Sequence, residues 1–95
     1  MTAFRGQNMV MLAPSLLLWY QRTTDAQWQN LADVRRVFPS ADSVGNLTVF
    51  NIGGNKYRLI TFIDYESQIV FTRNVLQYAD YDKEKWKNDD WFKNS

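Results

Sequence analysis

The stretch Val49-Phe50-Asn51-Ile52-Gly53-Gly54-Asn55-Lys56-Tyr57-Arg58-Leu59-Ile60-Thr61-Phe62-Ile63 decides the fold. Two apolar runs rich in β-branched and aromatic residues flank a glycine pair. Glycine tolerates the positive backbone dihedrals that a tight hairpin demands. The pattern predicts strands over Leu47–Ile52 and Lys56–Ile63. Asp64-Tyr65-Glu66-Ser67 reads as a second turn, with a third strand over Gln68–Asn74. Alternation puts Tyr57, Leu59, Thr61 and Ile63 on one face of the second strand, and Lys56, Arg58, Ile60 and Phe62 on the other. In the third strand Ile69, Phe71 and Arg73 share a face, opposite Val70, Thr72 and Asn74. One face is expected to pack on helices, and the other to be concave and partly polar.

Upstream, Pro14-Ser15 opens a helix through Leu16, Leu17, Trp19 and Tyr20 to Arg22, since proline is tolerated at a helix start. Thr24 followed by Gln27 matches a capping box. The helix it predicts carries Trp28, Leu31, Val34 and Phe38 on one face. Pro39-Ser40 ends that helix, and Asp42–Asn46 reads as a loop. Met1–Asn8 is expected to fray, with a short edge strand over Met9–Leu12. The tail Ala79–Phe92, charged but studded with Tyr81, Trp86, Trp91 and Phe92, is expected to be a short helix or coil. The fold class is therefore α+β: two N-terminal helices packed on a small antiparallel sheet, in one domain spanning residues 1–95.

Ninety-five residues, 45% hydrophobic and 16% aromatic, suffice for one core and not for two. The chain has neither cysteine nor histidine. No disulfide is possible, a cytoplasmic setting follows, and the usual general base and zinc ligand are both missing. No carboxylates stand at metal-binding spacing, so neither metal nor cofactor is expected. The apolar run Met9–Leu18 is broken by Pro14 and too short to span a bilayer, and no membrane association is expected. Gly53-Gly54 is no phosphate loop, because no helix follows it. Ser40 and Ser67 have no histidine to activate them. The net charge of +1 means that any polyanion site must come from local clustering. Lys56, Arg58 and Arg73 on the strands, followed by Tyr78, Tyr81 and Lys83, form such a cluster.

Trp28-Gln29-Asn30-Leu31-Ala32-Asp33-Val34-Arg35, Phe38-Pro39-Ser40-Ala41-Asp42, the hairpin from Val49 to Ile60, Arg73 and Ala79-Asp80-Tyr81-Asp82-Lys83 occur in an order and spacing that resemble the HigB family of bacterial toxin–antitoxin toxins, within the RelE/ParE-like superfamily. The resemblance covers about Trp19 to Lys87. It implies a RelE-like two-layer sandwich and an mRNA interferase, an endoribonuclease working on ribosome-associated message and inhibiting translation. It also implies a cognate antitoxin, a helix-turn-helix protein of HigA type. Two departures stand out. Residues 1–14 are unlike the family's opening strand and long helix, and are expected to be a divergent, poorly ordered segment. The family's exit segment resembles Thr-His-Ala-Glu-Tyr-Asp-Lys, and here Tyr78 replaces the histidine and Asp80 the glutamate. If that histidine serves catalysis, this chain is impaired or uses another group.

RNA cleavage through the 2′-hydroxyl needs a base, a stabiliser for the crowded phosphorane and an acid for the leaving oxygen. Arginine suits the middle role, being always charged and able to fork onto two phosphate oxygens. The catalytic candidates are Arg73, Tyr81, Lys83 and Tyr78. Arg58 shares the phosphate-binding role, with Lys56 on a flanking phosphate and Arg35 and Arg36 reaching in from the second helix. Either tyrosine would stack on a base or donate a proton; a phenol, titrating near ~10, is a poor base. Each residue has a structural rival. Arg58 and Arg73 would pair with Asp64, Glu66 or Asp80, the tyrosines would close the core, and Lys83-Glu84-Lys85 with Lys87 would be a solvated face. Trp86 and Trp91 read as a lid on the sheet or an antitoxin contact. The competing functions are a catalytically impaired homologue that binds antitoxin or RNA without cleavage, and gyrase inhibition as in the ParE branch.

Overall fold

Gly53 and Gly54 adopt φ values of 65° and 62°, the left-handed region where only glycine is unstrained. Their turn joins β3 (Leu47–Ile52) to β4 (Tyr57–Asp64), with Ile52 opposite Tyr57. The computed structural model describes residues 1–4, 13–54 and 56–92. The other elements are β1 (Thr2–Phe4), α1 (Ala13–Asp25), α2 (Leu31–Val37), β2 (Asp42–Val44), β5 (Ile69–Gln77) and α3 (Tyr78–Asp82), followed by a 3-10 turn over Lys85–Asn88. The sheet has five strands in the order β1-β5-β4-β3-β2. The α+β class holds, but the sheet is mixed: β1 runs parallel to β5, and the remaining pairs are antiparallel.

Four expectations are corrected. Thr2–Phe4 is a paired strand where a frayed terminus was expected; the expected strand over Met9–Leu12 falls outside the described residues. α1 runs through Thr24, whose hydroxyl donates to the Gln21 carbonyl at 3.0 Å, so Thr24 caps nothing. The second helix starts later. Asn30 accepts from the Asp33 amide at 3.0 Å, and the Asp33 carboxylate accepts from the Gln29 amide at 3.0 Å. That reciprocal pair is the real helix start, and Trp28 lies before it. Asp42–Val44, expected as loop, pairs with β3 across the turn at Gly45-Asn46, where Gly45 supplies φ 60°.

β5 departs from simple alternation. Ile60 faces Asn74 while Thr61 faces Thr72, leaving Arg73 as the extra residue of a bulge. Asn74 therefore moves to the face of Ile60, opposite to its expected place.

Both sheet faces are covered. On one, Leu16, Trp19, Trp28 and Val34 from the helical region share a core with Phe50, Ile52, Leu59, Ile63 and Val70. The Phe50 ring centres it, 5.5 Å from Trp19, 6.2 Å from Trp28 and 5.2 Å from Phe38. The Gln68 amide pins Trp28 there by donating to the Trp28 and Tyr65 carbonyls at 2.6 and 2.7 Å. On the other face, Leu47, Val49 and Ile60 are closed by Trp86, with Phe62, Leu76, Tyr81, Trp91 and Phe92 around them. That face, expected as an open concavity, is a second small core under the C-terminal segment.

Phe50→Ala would leave a cavity among three aromatic rings. It is expected to cost about 3–5 kcal/mol, read as a lower urea midpoint with unchanged slope.

Candidate functional site

The site is built where β4 begins and β5 ends. Tyr57 pairs with Gln77 and Arg58 with Leu76, and the Tyr78 amide then donates to the Lys56 carbonyl at 3.1 Å. That bond turns the chain from the sheet edge directly into α3. It brings Lys56, Arg58, Tyr78 and Tyr81 to one end of the sheet. The Arg58 guanidinium carbon lies 4.8 Å from the Tyr78 ring centre and 5.9 Å from that of Tyr81. A guanidinium at those distances is attracted by the ring faces; one amino group donates to the Tyr57 carbonyl at 3.2 Å. Tyr78 is half exposed. A hollow of about 340 Å³ opens between Lys56, Tyr57, Gln77, Tyr78 and Ala79.

Tyr81 is held from behind. Its ring stacks on Trp86 at 5.2 Å and 9°, and the Trp86 indole donates to the Tyr81 carbonyl at 3.0 Å. Burial raises the Tyr81 phenol above its ordinary value; the negative charge of Asp42 adds to this, and Arg58 and Lys87 oppose it. Tyr81 is thus a proton donor at neutral pH and not a base. Lys83 caps the end of the same short helix, 3.8 Å from Asp80 with both side chains more than half exposed. Such a pair is worth little and readily gives up either partner. A second hollow, about 410 Å³, runs along Asn74, Leu76, Asp80, Lys83 and Lys85 to Asp89.

The other candidates lie differently. Arg73 does not join Arg58. Its guanidinium is forked onto Asp89, with Nε to Oδ2 at 3.0 Å and NH2 to Oδ1 at 2.8 Å, and sits 4.2 Å from the Trp91 ring centre. Its side chain is 29% exposed and that of Asp89 10%, so this is a largely covered ion pair. The expected partners Asp64, Glu66 and Asp80 are displaced by a residue of the tail. Arg35 donates through Nε to the Ala41 carbonyl at 2.9 Å and lies 3.5 Å from Asp42. It therefore borders the cluster through the carboxylate that acts on Tyr81. Arg36 pairs with Asp33 on its own helix at 3.0 Å. Sequence reading missed Asp42, Trp86 as the backing of Tyr81, and Asp89. Asp89 carries no local signal, because its partner lies 16 residues away on β5. Among the described residues, no group of three or more acidic side chains could hold a metal ion, and no helix is long and apolar enough to cross a membrane.

A family model described as HigB toxin, the RelE-like toxic component of a toxin–antitoxin system, matches residues 13–84. The mRNA interferase toxin HigB of Escherichia coli K12 is 38% identical over 52 residues, covering 52% of this chain and 50% of the relative. The mRNA interferase HigB of Shigella flexneri matches to the same extent. The mRNA interferase HigB of Escherichia coli O6:H1 is 25% identical over 67 residues, covering 67% of this chain and 65% of that protein. The chain spans about half the length of the first of these relatives.

The Arg73–Asp89 pair makes a pH prediction. Hydrogen bonding from Arg73 holds the Asp89 carboxyl below the usual carboxylate value. A depressed folded-state pKa contributes stability that is complete above the unfolded value of about 3.9 and disappears as pH falls through the folded value. Asp89→Asn is therefore expected to lower stability by about 1–3 kcal/mol at pH 7, with the gap to the unsubstituted protein closing below about pH 4 in urea titrations.

Proposed function

The chain belongs to the HigB toxin family, and we propose that it is an mRNA interferase, the toxic endoribonuclease of a toxin–antitoxin pair. Its two helices over one sheet face match what a RelE-like sandwich requires. Its partners on this reading are messenger RNA on the ribosome and a cognate antitoxin of HigA type. One observation carries the reading: Arg58 lies against Tyr78 and Tyr81 at a sheet end flanked by exposed Lys56 and Lys83. Cation, aromatic faces and flanking ammonium groups are what a single-stranded RNA needs for phosphate contact and base stacking.

The chemistry is divided as follows. The 2′-hydroxyl oxygen bonds to the adjacent phosphorus, losing its proton to water. The bond from phosphorus to the 5′-oxygen breaks. Arg58 forks onto the phosphoryl oxygens, where negative charge builds up before that bond breaks. Tyr81, kept protonated by burial and by Asp42, gives its proton to the departing 5′-oxygen. Tyr78, half exposed beside Arg58, stacks on a base. Lys56 and Lys83 hold neighbouring phosphates, and Arg35 adds a more distant one.

A second reading keeps the binding and drops the cleavage. It is favoured by Tyr78 in the histidine's place and by the engagement of Arg73 with Asp89. The two readings separate in a purified translation system with end-labelled message. Cleavage is expected. Arg58→Ala should slow it about 10²–10³-fold, and Tyr81→Phe about a hundredfold or more. Full activity of Arg58→Ala sinks the site; RNA binding with no cleavage by the unsubstituted protein establishes the second reading.

A further inference from the structure

Arg73 is the one sheet arginine that the proposed reaction leaves aside, and its surroundings are unusual for structural filler. It lies on the same covered face as Phe71, unpaired at the bulge. There it meets a carboxylate in two-point geometry and an aromatic ring against its plane. Both groups come from the same short segment. The Trp91 amide donates to Asp89 Oδ1 at 2.8 Å, so carboxylate and indole are delivered as one unit. The indole lies edge-on to Phe62 at 5.5 Å and Phe71 at 5.1 Å. A carboxylate forked onto arginine occupies the position that two phosphate oxygens would take, because both anions match the same planar donor pair. An indole with its face on the guanidinium, walled by two phenyl rings, fills the volume that a nucleobase resting on Arg73 would take.

Resting on the RNA-binding reading of the adjoining end of the sheet, we propose that Asp89 and Trp91 are an internal stand-in for one nucleotide of a single-stranded RNA, covering a phosphate-and-base site made by Arg73, Phe62 and Phe71. The segment is suited to exchange. Asp89–Phe92 has no strand pairing, and follows a 3-10 turn anchored separately by buried Trp86. Lifting it breaks the bond from the Asn46 amide to the Trp91 carbonyl at 2.7 Å and the contact of Phe92 with Trp86 at 5.7 Å, while the Trp86 indole keeps its bond to the Tyr81 carbonyl. The remaining exposure of Arg73 gives a phosphate a route of approach. An apolar closure would serve stability at least as well, since replacing a covered ion pair by packed apolar groups is often neutral or stabilising. The charged pair is thus better explained by exchange than by closure.

The test is the dissociation constant for a single-stranded RNA made uncleavable by 2′-O-methylation, read by fluorescence anisotropy. Circular dichroism confirms that each variant is folded. A site masked nine-tenths of the time binds about tenfold more weakly than an open one. Asp89→Asn is expected to tighten binding about tenfold, and Arg73→Ala added to it should cancel the gain. Asp90→Asn, with the same charge change on an exposed neighbour, should give far less. Folded Asp89→Asn with unaltered affinity, or a gain that survives Arg73→Ala, overturns the proposal. If that happens while Arg58→Ala still abolishes binding, the RNA reading stands alone; if no variant binds RNA, both fall. Should Asp89→Asn not fold, the unsubstituted protein decides. Its Arg73 Nε–H and Trp91 indole resonances should shift saturably with added RNA, and unmoved resonances under bound RNA overturn the proposal.

Discussion

The β4 strand is apolar on both sides, and everything else in this molecule answers to that constraint. Leu59 and Ile63 face one way, Ile60 and Phe62 the other. A sheet that is apolar on one side needs one covering layer; this sheet needs two. The helices supply the first through Trp19, Trp28 and Val34. A short segment supplies the second through large side chains: Trp86, Trp91 and Phe92. The aromatic density of the tail is thus a packing requirement before it is anything else.

The same constraint bears on the proposed site. With both faces closed, an extended polyanion is left the end of the sheet, where strand pairing stops and α3 departs. Arg58 is the cation at that boundary, and the rings beside it come from the helix that leaves it. Tyr81 serves both sides of the boundary. Its ring belongs to the second core through Trp86, and its phenol belongs to the site through Asp42 and Arg58. Packing and chemistry meet in one side chain, which is why the burial that stabilises the tail also sets the protonation state of the proposed acid.

The legible part of the fold was the part governed by short-range rules. Alternating strands and a glycine pair gave the central hairpin, and Pro14 marked the first helix within a residue or two. A local pattern also misled: Thr24 with Gln27 has the spacing of a capping box but lies within and just past α1, and the cap of α2 is Asn30, which accepts from the Asp33 amide. The parallel strand β1 was invisible because its partner lies more than sixty residues away, Thr2 opposite Ile69. For the site, residue types were readable and associations were not. Arg58 with Tyr78 and Tyr81 follows from chain proximity across one pair of strands. Arg73 with Asp89 needs a segment that returns over the sheet, and that leaves no mark in local composition.

The bulge also fixes what kind of change β5 can absorb. Arg73 and Asn74 are successive residues on one face, so strand parity reverses at that point. Arg73 is the residue set outside the ladder, with regular pairing on either side of it. A point substitution at Arg73 would alter its contacts and leave the bulge in place. Removing its codon would bring Thr72 and Asn74 together opposite Thr61 and Ile60, with Leu76 still toward the second core and α3 still beside Arg58. The ladder on both sides therefore tolerates the loss of this residue, and what disappears with it is the fork onto Asp89.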